Sequence, residues 1–255
     1  MILKDKVVII TGAGPGMGQA MCRGAAREGA KVVVSARSQP AIAMIADEIN
    51  AAGGQAIAVP CDVSQDSQCK ALAEAALNRW GRIDGLVNSA YYHPDWLPLE
   101  SHSIEQLTMA LDVIAVGALR MAQCVIPTMR AQGGGSIVNI STLATRKPMP
   151  AEGGYAMAKA ALNQLTRQLA VELGGSGIRV NTALMGWMDG VPLKEFFAGL
   201  GDSGAFEQQR ASEIPVGHIP ADTDCAKAVY FLLSDYASEV TGAMLDVNGG
   251  DWVAA

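Results

Sequence analysis

The stretch KVVIITGAGPGMG, from Lys6 to Gly18, runs from an apolar, β-branched segment directly into a glycine-rich loop. Glycine lets the backbone turn tightly and approach a pyrophosphate closely, and the helix pattern that follows offers N–H groups and a partial positive charge. A strand before the loop and a helix after it favour dinucleotide binding over a purely structural turn. The residues expected to hold the phosphates are Gly12, Gly14, Gly16, Met17 and Gly18.

The rest of the chain repeats this alternation of strand and helix. Further β-branched runs occur at 31–36, 55–61, 82–89, 135–141, 177–184 and 243–248. Helix patterns occur at 17–28, 39–52, 65–80, 104–131, 151–173 and 221–233. Seven strands separated by helices indicate a parallel sheet covered on both faces. We therefore predict an α/β chain with a doubly wound, seven-stranded parallel sheet, a Rossmann fold, in a single domain over residues 1–255.

Composition narrows the class of partner. Of the 255 residues, 50% are apolar and 17% are charged, and the formal net charge is −6. Because the basic residues are scattered, we expect a small-molecule partner and neither nucleic acid nor a membrane surface. The apolar run before Thr11 is too short for a signal sequence, and no uncharged apolar stretch approaches 18 residues, so a soluble, cytoplasmic protein is expected.

The five cysteines predict neither a disulfide framework nor a metal site. Their number is odd, none form a C-x-x-C pair, and none have ligand-like spacing to the three histidines. We expect reduced, buried side chains that act as small apolar residues.

The end of the second strand bears on the choice of dinucleotide. An acidic residue there would hydrogen-bond a ribose 2′-hydroxyl, but this chain has Ser35-Ala36-Arg37. A guanidinium matches a 2′-phosphate in charge and geometry, so NADP(H) is favoured over NAD(H), with a solvated surface role for Arg37 left open. After the third strand, Asp62 and Val63 are candidates for adenine contact, and a helix cap is the alternative for Asp62.

A long connection at about 187–215 interrupts the alternation. It carries the glycine-rich kink GLGDSG and several aromatic residues. Since connections this long are usually functional in a compact domain, we expect a substrate lid. An apolar and aromatic substrate pocket is expected nearby, with ordinary core packing as the alternative for each member. The candidates are Tyr91, Tyr92, His93, Trp96, Met149, Trp187, Phe196 and Phe197. His93 beside two tyrosines is either an extra acid/base or an ordinary loop residue.

The sequence YAMAK places Tyr155 and Lys159 one turn apart on one helix face. This spacing arises often by chance and is a weak indicator alone. In combination, four motifs resemble the short-chain dehydrogenase/reductase family over nearly the whole chain. They are the loop from Thr11 to Gly18, the segment from Asn88 to Tyr91, the pair Tyr155 and Lys159, and the segment from Asp246 to Gly250.

The resemblance implies an NAD(P)(H)-dependent oxidoreductase that interconverts a secondary alcohol and a ketone. It implies that Tyr155 is the acid in reduction and the base in oxidation, and that Lys159 stabilises the phenolate and hydrogen-bonds the nicotinamide ribose. Asn88 and Ala90 would pack against the cofactor. A homotetramer is also implied, in agreement with helices at 104–131 and 151–173 that are apolar on more than one face.

Four positions depart from the family pattern. The usual serine thirteen residues before the tyrosine is Thr142, whose hydroxyl still donates to a carbonyl; neighbouring Ser141 competes, but adjacent strand residues face opposite ways. Ile114 stands where the family has an asparagine whose backbone carbonyl holds a relay water, and isoleucine keeps that carbonyl. Beyond the sixth strand, Met185 replaces a proline and Gly190 a threonine. Gly186 and Met188 still offer backbone groups to the carboxamide.

These departures leave other hypotheses open. One is a catalytically weak or inactive dinucleotide-binding protein of the same fold. Another is lyase or isomerase chemistry on that fold. The leading hypothesis is an oxidoreductase acting on a hydrophobic, cyclic or aromatic substrate.

Overall fold

The computed structural model describes residues 1–199 and 203–253. The strands are β1 (Val7–Thr11), β2 (Lys31–Ser35), β3 (Gln55–Ala58), β4 (Gly85–Asn88), β5 (Gly135–Thr142), β6 (Ile178–Met185) and β7 (Met244–Val247). The helices are α1 (Met17–Arg27), α2 (Gln39–Ala51), α3 (Asp66–Trp80), α4 (Ile104–Leu111), α5 (Gly117–Ala131), α6 (Gly153–Leu173), α7 (Val191–Ala198), α8 (Ser203–Glu213) and α9 (Asp222–Leu233).

The strands form one parallel sheet in the order β3-β2-β1-β4-β5-β6-β7. The chain moves outward from β1 to β3, returns to pair β4 with β1, and then moves outward the other way. Such a reversal places a ligand crevice at the carboxyl ends of β1 and β4. The predicted fold is confirmed, and no strand extends more than one residue beyond its expected run.

Alternate residues of β1 show how the sheet is covered. Val8 and Ile10 face a core built with α1, α2 and α9, whereas Val7 and Ile9 face a core built with α3, α5 and α6. All four side chains are fully buried. Because a strand turns successive side chains to opposite faces, an unbroken apolar strand requires helices on both sides.

The expected helix at 104–131 is interrupted by one π turn at Asp112–Val116, between α4 and α5. Its most apolar 18-residue window has a mean hydropathy of 1.7, enough by length and composition to cross a membrane. Membrane crossing is not needed to explain it, because Met121, Val125 and Met129 pack in the core beneath the sheet. The π turn carries Ile114, and such turns frequently mark functional sites.

The five cysteines are all free, and four of them are buried. This agrees with the expectation of reduced thiols that fill apolar space. Burial raises the pKa of Cys22 to about 12, so this thiol stays protonated and unreactive at neutral pH.

Candidate active site

The glycine loop lies in the crevice where the strand order reverses. Gly12 has a φ of 70°, and a Cβ placed on it would come within 2.5 Å of the backbone nitrogen of Ala90. Gly18 packs against the backbone oxygen of Gly12. A Cβ on Gly14, by contrast, would meet no atom within 4 Å. The loop is therefore closely packed on its protein side and open on the side where a phosphate would lie.

Two cavities flank this loop. The first, of about 510 Å³, is bordered by Gly16 and Met17, and the second, of about 470 Å³, by Gly12 and Gly14. An extended dinucleotide would cross the loop from one cavity to the other. The glycine loop and the open path over Gly14 thus fit the cofactor that the fold implies.

The second cavity brings together most of the residues expected at the nucleotide end. Arg37 is exposed at its wall, close enough for its charge to help lower the pKa of Asp62. Burial raises that pKa, but hydrogen bonds from Ser64 to Asp62 Oδ1, at 3.0 and 2.7 Å, outweigh it. Asp62 does not cap α3, which begins at Asp66. The other lining residues that were expected here are Gly12, Gly14, Val63 and Ala90.

Tyr91 and Tyr92 also line this second cavity, rather than the first as expected for a substrate pocket. The reason is the close packing of Ala90 against Gly12, which directs the chain after β4 toward the nucleotide side. Tyr91 is 57% exposed, and its ring edge meets the ring of Tyr155 at 6.4 Å between centroids.

The first cavity is mainly apolar. From the expected set it contains Trp96, Thr142, Met149, Gly186, Trp187 and Met188. The side chains of Phe196 and Phe197 lie outside the described part of the structure. Sequence reasoning missed the remaining lining residues, which are Leu143, Pro150, Glu152, Gly190, Leu193 and Asp222. For Glu152 a signal was present, since it lies three residues before Tyr155, a spacing that puts two helix residues on one face.

Tyr155 and Lys159 lie on the first turns of α6, and the Tyr155 ring contacts Tyr91, which lines the second cavity. Lys159 is only 2% exposed, and its Nζ donates to the backbone oxygen of Ile140 at 2.6 Å. The same Nζ lies 5.6 Å from the centre of the Tyr155 ring. Burial lowers the pKa of Lys159 to about 7, so part of its charge is lost at neutral pH.

In the ligand-free protein the surroundings of Tyr155 raise the pKa of its phenol. Burial raises the pKa of its phenol, and the Glu152 carboxylate and Tyr91 add to the rise. In this state the Lys159 ammonium is hydrogen-bonded to the Ile140 carbonyl, 5.6 Å from the centre of the phenol ring. Catalysis as a base at neutral pH would therefore need further positive charge near this ring.

Thr142 and Ser141, the two candidates for the substrate-binding hydroxyl, are adjacent on β5 and their side chains point to opposite faces of the sheet. Thr142 faces the first cavity, and its Oγ1 accepts a hydrogen bond from the backbone N–H of Ala144 at 3.3 Å. Ser141 is buried on the opposite face, where no described residue hydrogen-bonds its Oγ. Only the threonine hydroxyl lies where a substrate could meet it.

Ile114 is 2% exposed and packs with Ala110, Ala118, Ala158 and Leu162. Tyr155 packs against the same cluster, so the π turn lies behind the tyrosine. Asn88 is buried at the end of β4, and its Nδ2 donates to Asn139 Oδ1 at 2.9 Å. Asn88 thus ties β4 to β5, and neither cavity includes it in its lining.

The departures after β6 have local causes. Met185 is buried in the core. A Cβ on Gly186 would come within 2.8 Å of Asn248, so the close approach of the β7 end requires glycine there. At Gly190 a Cβ would lie 3.1 Å from a carboxylate oxygen of Asp222, so a larger residue there would need Asp222 to shift.

The connection after β6 forms two short helices, α7 and α8, and Leu193 of α7 lines the first cavity. Arg210 of α8 packs over the Trp187 ring at 5.0 Å and forms an ion pair with Asp251 at 2.7 Å. Asp251 also pairs with Lys147 at 2.8 Å. This buried carboxylate therefore holds α8 to the loop after β5.

His93 stacks face to face on Tyr155, with ring centroids 4.9 Å apart. Trp96 stacks on its other face at 4.2 Å. The three rings form a column beside α6 that connects the first cavity to the tyrosine. His93 was expected in the substrate pocket, but it lines neither cavity and lies in this column instead.

Comparisons with known proteins agree with this architecture. A family model described as enoyl-(acyl carrier protein) reductase matches residues 12–251. The chain is 36% identical to 3β-hydroxysteroid dehydrogenase 1 of Eggerthella lenta, over 97% of this chain and 94% of the relative. It is 34% identical to 4-formylbenzenesulfonate dehydrogenase of Comamonas testosteroni, over 98% and 99%.

Among solved structures, a protein from Burkholderia xenovorans described as a short-chain dehydrogenase/reductase superposes with a TM-score of 0.91. The two sequences are 33% identical, and the match covers 98% of this chain and 97% of that one. The relatives' names share oxidation or reduction and differ in substrate. The chain therefore belongs to the short-chain dehydrogenase/reductase family and is an NAD(P)-dependent oxidoreductase.

Proposed function

We propose that this protein uses NADP(H) to interconvert a secondary alcohol and a ketone on an uncharged, hydrophobic, cyclic or aromatic small molecule. The observation that carries the proposal is the pair Tyr155 and buried Lys159 on α6, with the Tyr155 ring against Tyr91 of the second cavity and one helix turn from Glu152 of the first. The second cavity, which contains Arg37, suits the phosphate-bearing end of a dinucleotide, and the first, which contains Thr142, suits a substrate.

The preference for NADP(H) rests on Arg37. Its guanidinium lies at the wall of the second cavity, where the end of β2 meets the glycine loop. The carboxylate of Asp62 in the same cavity is held by Ser64, which leaves the guanidinium available to a 2′-phosphate. The backbone around Gly12, Gly14, Gly16, Met17 and Gly18 would hold the pyrophosphate.

The bound nicotinamide would supply or accept the hydride. The chain's own part is to hold the substrate oxygen and move its proton. Thr142 Oγ1 would orient that oxygen, and the Tyr155 hydroxyl would give or take the proton. Lys159 Nζ would leave the Ile140 carbonyl to hydrogen-bond the nicotinamide ribose. The Ile114 carbonyl would hold a water that links Lys159 to solvent, a role that does not need an asparagine side chain.

The lining of the first cavity supports an uncharged substrate. Its charged members are Glu152 and Asp222, both acidic, and the rest of the lining is largely apolar. A carboxylate or sulfonate on the substrate would meet the Asp222 carboxylate, and no basic residue is in the described lining to balance it. We therefore place this chain closer in substrate class to the steroid relative than to the sulfonate relative.

Three further features belong to the proposal. The segment at 187–215 would act as a lid over the first cavity, with Trp187 and Leu193 contacting the substrate. The protein would be a cytoplasmic homotetramer. Asn88 and Ala90 would pack against the bound cofactor.

A ketone panel tests the proposal. The purified protein would be mixed with NADPH and neutral cyclic ketones, each paired with a carboxylated analogue, and nicotinamide absorbance followed. We expect turnover of the neutral ketones and at least about tenfold lower kcat/KM for their anionic analogues. If fluorescence shows that NADPH binds but no ketone or alcohol is turned over, the proposed alcohol–ketone activity is wrong. Equal rates for both members of each pair would refute only the proposal that the substrate is uncharged.

A further inference from the structure

His93 is held by contacts that determine its protonation. Its Nδ1 lies 2.6 Å from the backbone oxygen of Pro94, and a carbonyl oxygen only accepts, so Nδ1 carries a proton. Its Nε2 lies 3.7 Å from Glu152 Oε2. A neutral ring would point an Nε2 lone pair at this carboxylate, whereas an imidazolium points a proton at it.

The surroundings strengthen that ion pair. The side chains of His93 and Glu152 are only 20% and 12% exposed, so water screens the pair weakly. Burial by itself lowers the pKa of His93, but the contacts with Glu152 and Pro94 outweigh it and raise that pKa above its ordinary value. The charge is thus present below the raised pKa and is lost as the pH rises through it.

We propose that His93 is a positioning residue for Tyr155, with the imidazolium of the His93–Glu152 pair stacked on the phenol ring as a second cation that stabilises the phenolate. The inference rests on the proposed function and adds to it a residue that no family motif contains. Coplanar stacking at 4.9 Å and 27° brings the charge against the ring face.

The groups that face Tyr155 show why a second cation matters. Its titratable neighbours are Tyr91, His93, Glu152 and Lys159. Glu152 and Tyr91 oppose the phenolate, and Lys159 has lost part of its charge at neutral pH. His93 both adds a cation and pairs with the opposing carboxylate. Since the two titrations are coupled, a phenolate in turn favours the imidazolium.

The first test is a histidine titration by nuclear magnetic resonance. The chain has three histidines, so His93→Phe assigns the His93 signal. We expect the His93 pKa to lie above about 6.5 and to fall in Glu152→Gln, which keeps the side chain's size and removes its charge. A wild-type pKa at or below that of a free histidine, or one unmoved by Glu152→Gln, overturns the proposal whether or not the protein turns over any substrate.

The second test separates charge from stacking. His93→Phe keeps an aromatic ring in the column without a charge, and His93→Ala removes both. In both variants we expect the acidic limb of the pH profile of kcat/KM for alcohol oxidation, which reports deprotonation of Tyr155, to move up by about one unit, an approximately tenfold loss at pH 7 that recovers at higher pH. His218→Phe is the matched control, because His218 has the same Nδ1-to-carbonyl contact, at 3.0 Å from Val216, on an exposed loop.

The outcomes are distinct. If His93→Phe keeps the wild-type limb and only His93→Ala changes it, His93 merely packs, and the proposal falls. A lower maximum of kcat/KM with an unchanged apparent pKa would mean that the substitution displaces Tyr155, and this result would also refute the proposal. Absence of turnover in the wild type removes the proposed function and this inference together, whereas turnover with an unmoved limb removes this inference alone.

Discussion

The two cavities that flank the glycine loop differ in the charged side chains that they contain. The nucleotide-side cavity holds Arg37, Asp62 and Ser64 around a closely packed backbone, and the other is lined mainly by apolar side chains with Thr142 at its base. Tyr155 lines neither cavity, and its ring contacts His93 and Tyr91. The proposed sites for the cofactor and for the substrate are therefore separate cavities, and Tyr155, the proposed proton donor, is part of neither lining.

Of the substitutions proposed here, Tyr155→Phe should have the largest effect on turnover and should leave cofactor binding nearly unchanged. Removing the hydroxyl takes away the proposed acid/base, so we expect kcat to fall by about 10³-fold while the Kd for NADPH changes less than about twofold. Steady-state rates and fluorescence titration measure the two effects. Tyr236→Phe, at an exposed position, is the control. Retained turnover in Tyr155→Phe would exclude the mechanism.

Lys159→Met tests the proposed role of the buried lysine in catalysis and its effect on stability. We expect kcat to fall by about 10²-fold, because the proposed ribose contact and proton relay are lost. The free energy of unfolding, by contrast, should increase in this variant. The folded pKa of about 7 lies below the unfolded value near 10.5, so the buried charge destabilises the fold most below pH 7, and this penalty fades as the pH rises toward 10.5.

Removing the charge should therefore raise the free energy of unfolding by up to about 5 kcal/mol at pH 6 and by less than about 1 kcal/mol near pH 10. Denaturant titrations at the two pH values, with exposed Lys4→Met for comparison, measure this. A variant that is less stable at pH 6 would show that the bond to the Ile140 carbonyl outweighs the cost of burying the charge.

Arg37→Ala should affect the nucleotide-side cavity alone. A charge-assisted hydrogen bond to a 2′-phosphate contributes roughly 2 kcal/mol, so the Kd for NADPH should rise by about 30-fold and that for NADH by less than about threefold. The KM for the ketone should stay unchanged. Arg79→Ala, an exposed arginine on α3, controls for net charge. Equal weakening of both dinucleotides would assign Arg37 to the solvated surface.

Ile114→Asn should have the smallest effect on rate. The backbone carbonyl is kept, so we expect kcat to stay the same or rise by up to about threefold. An amide buried among alanines and Leu162 should cost about 1 to 3 kcal/mol of stability. Val116→Asn, exposed on the same π turn, should be nearly neutral. A large loss of turnover in a folded Ile114→Asn protein would show that the relay is arranged differently.

The fold was predictable because its signals are local and repeated. The β-branched run at β1 and the glycines that follow specify strand, turn and helix within eighteen residues, and each later strand repeats the pattern. The helix at 104–131 was predicted with the observed ends, but nothing in its apolar periodicity marks the π turn at Asp112–Val116. The two short helices after β6 were expected only as an irregular lid.

The site was predictable where a residue's role depends on its place in a strand or helix. Thr142 was favoured by its place thirteen residues before Tyr155, and strand alternation allowed only one of Thr142 and Ser141 to serve; the structure places only the threonine at a cavity. Tyr91 and Tyr92 were assigned to the wrong cavity, because a loop residue has no periodicity to predict its direction. Glu152 was missed, although its spacing to Tyr155 could have indicated it.

The sequence by itself determined the order of strands and helices, the glycine loop and the Tyr155–Lys159 spacing, since each depends on neighbours along the chain. Only the tertiary structure decided which cavity each loop residue lines, that Lys159 is buried against the Ile140 carbonyl, and that His93 lies between Trp96 and Tyr155. Burial and the distances between charges set pKa values, and both depend on segments that meet only when the sheet has formed.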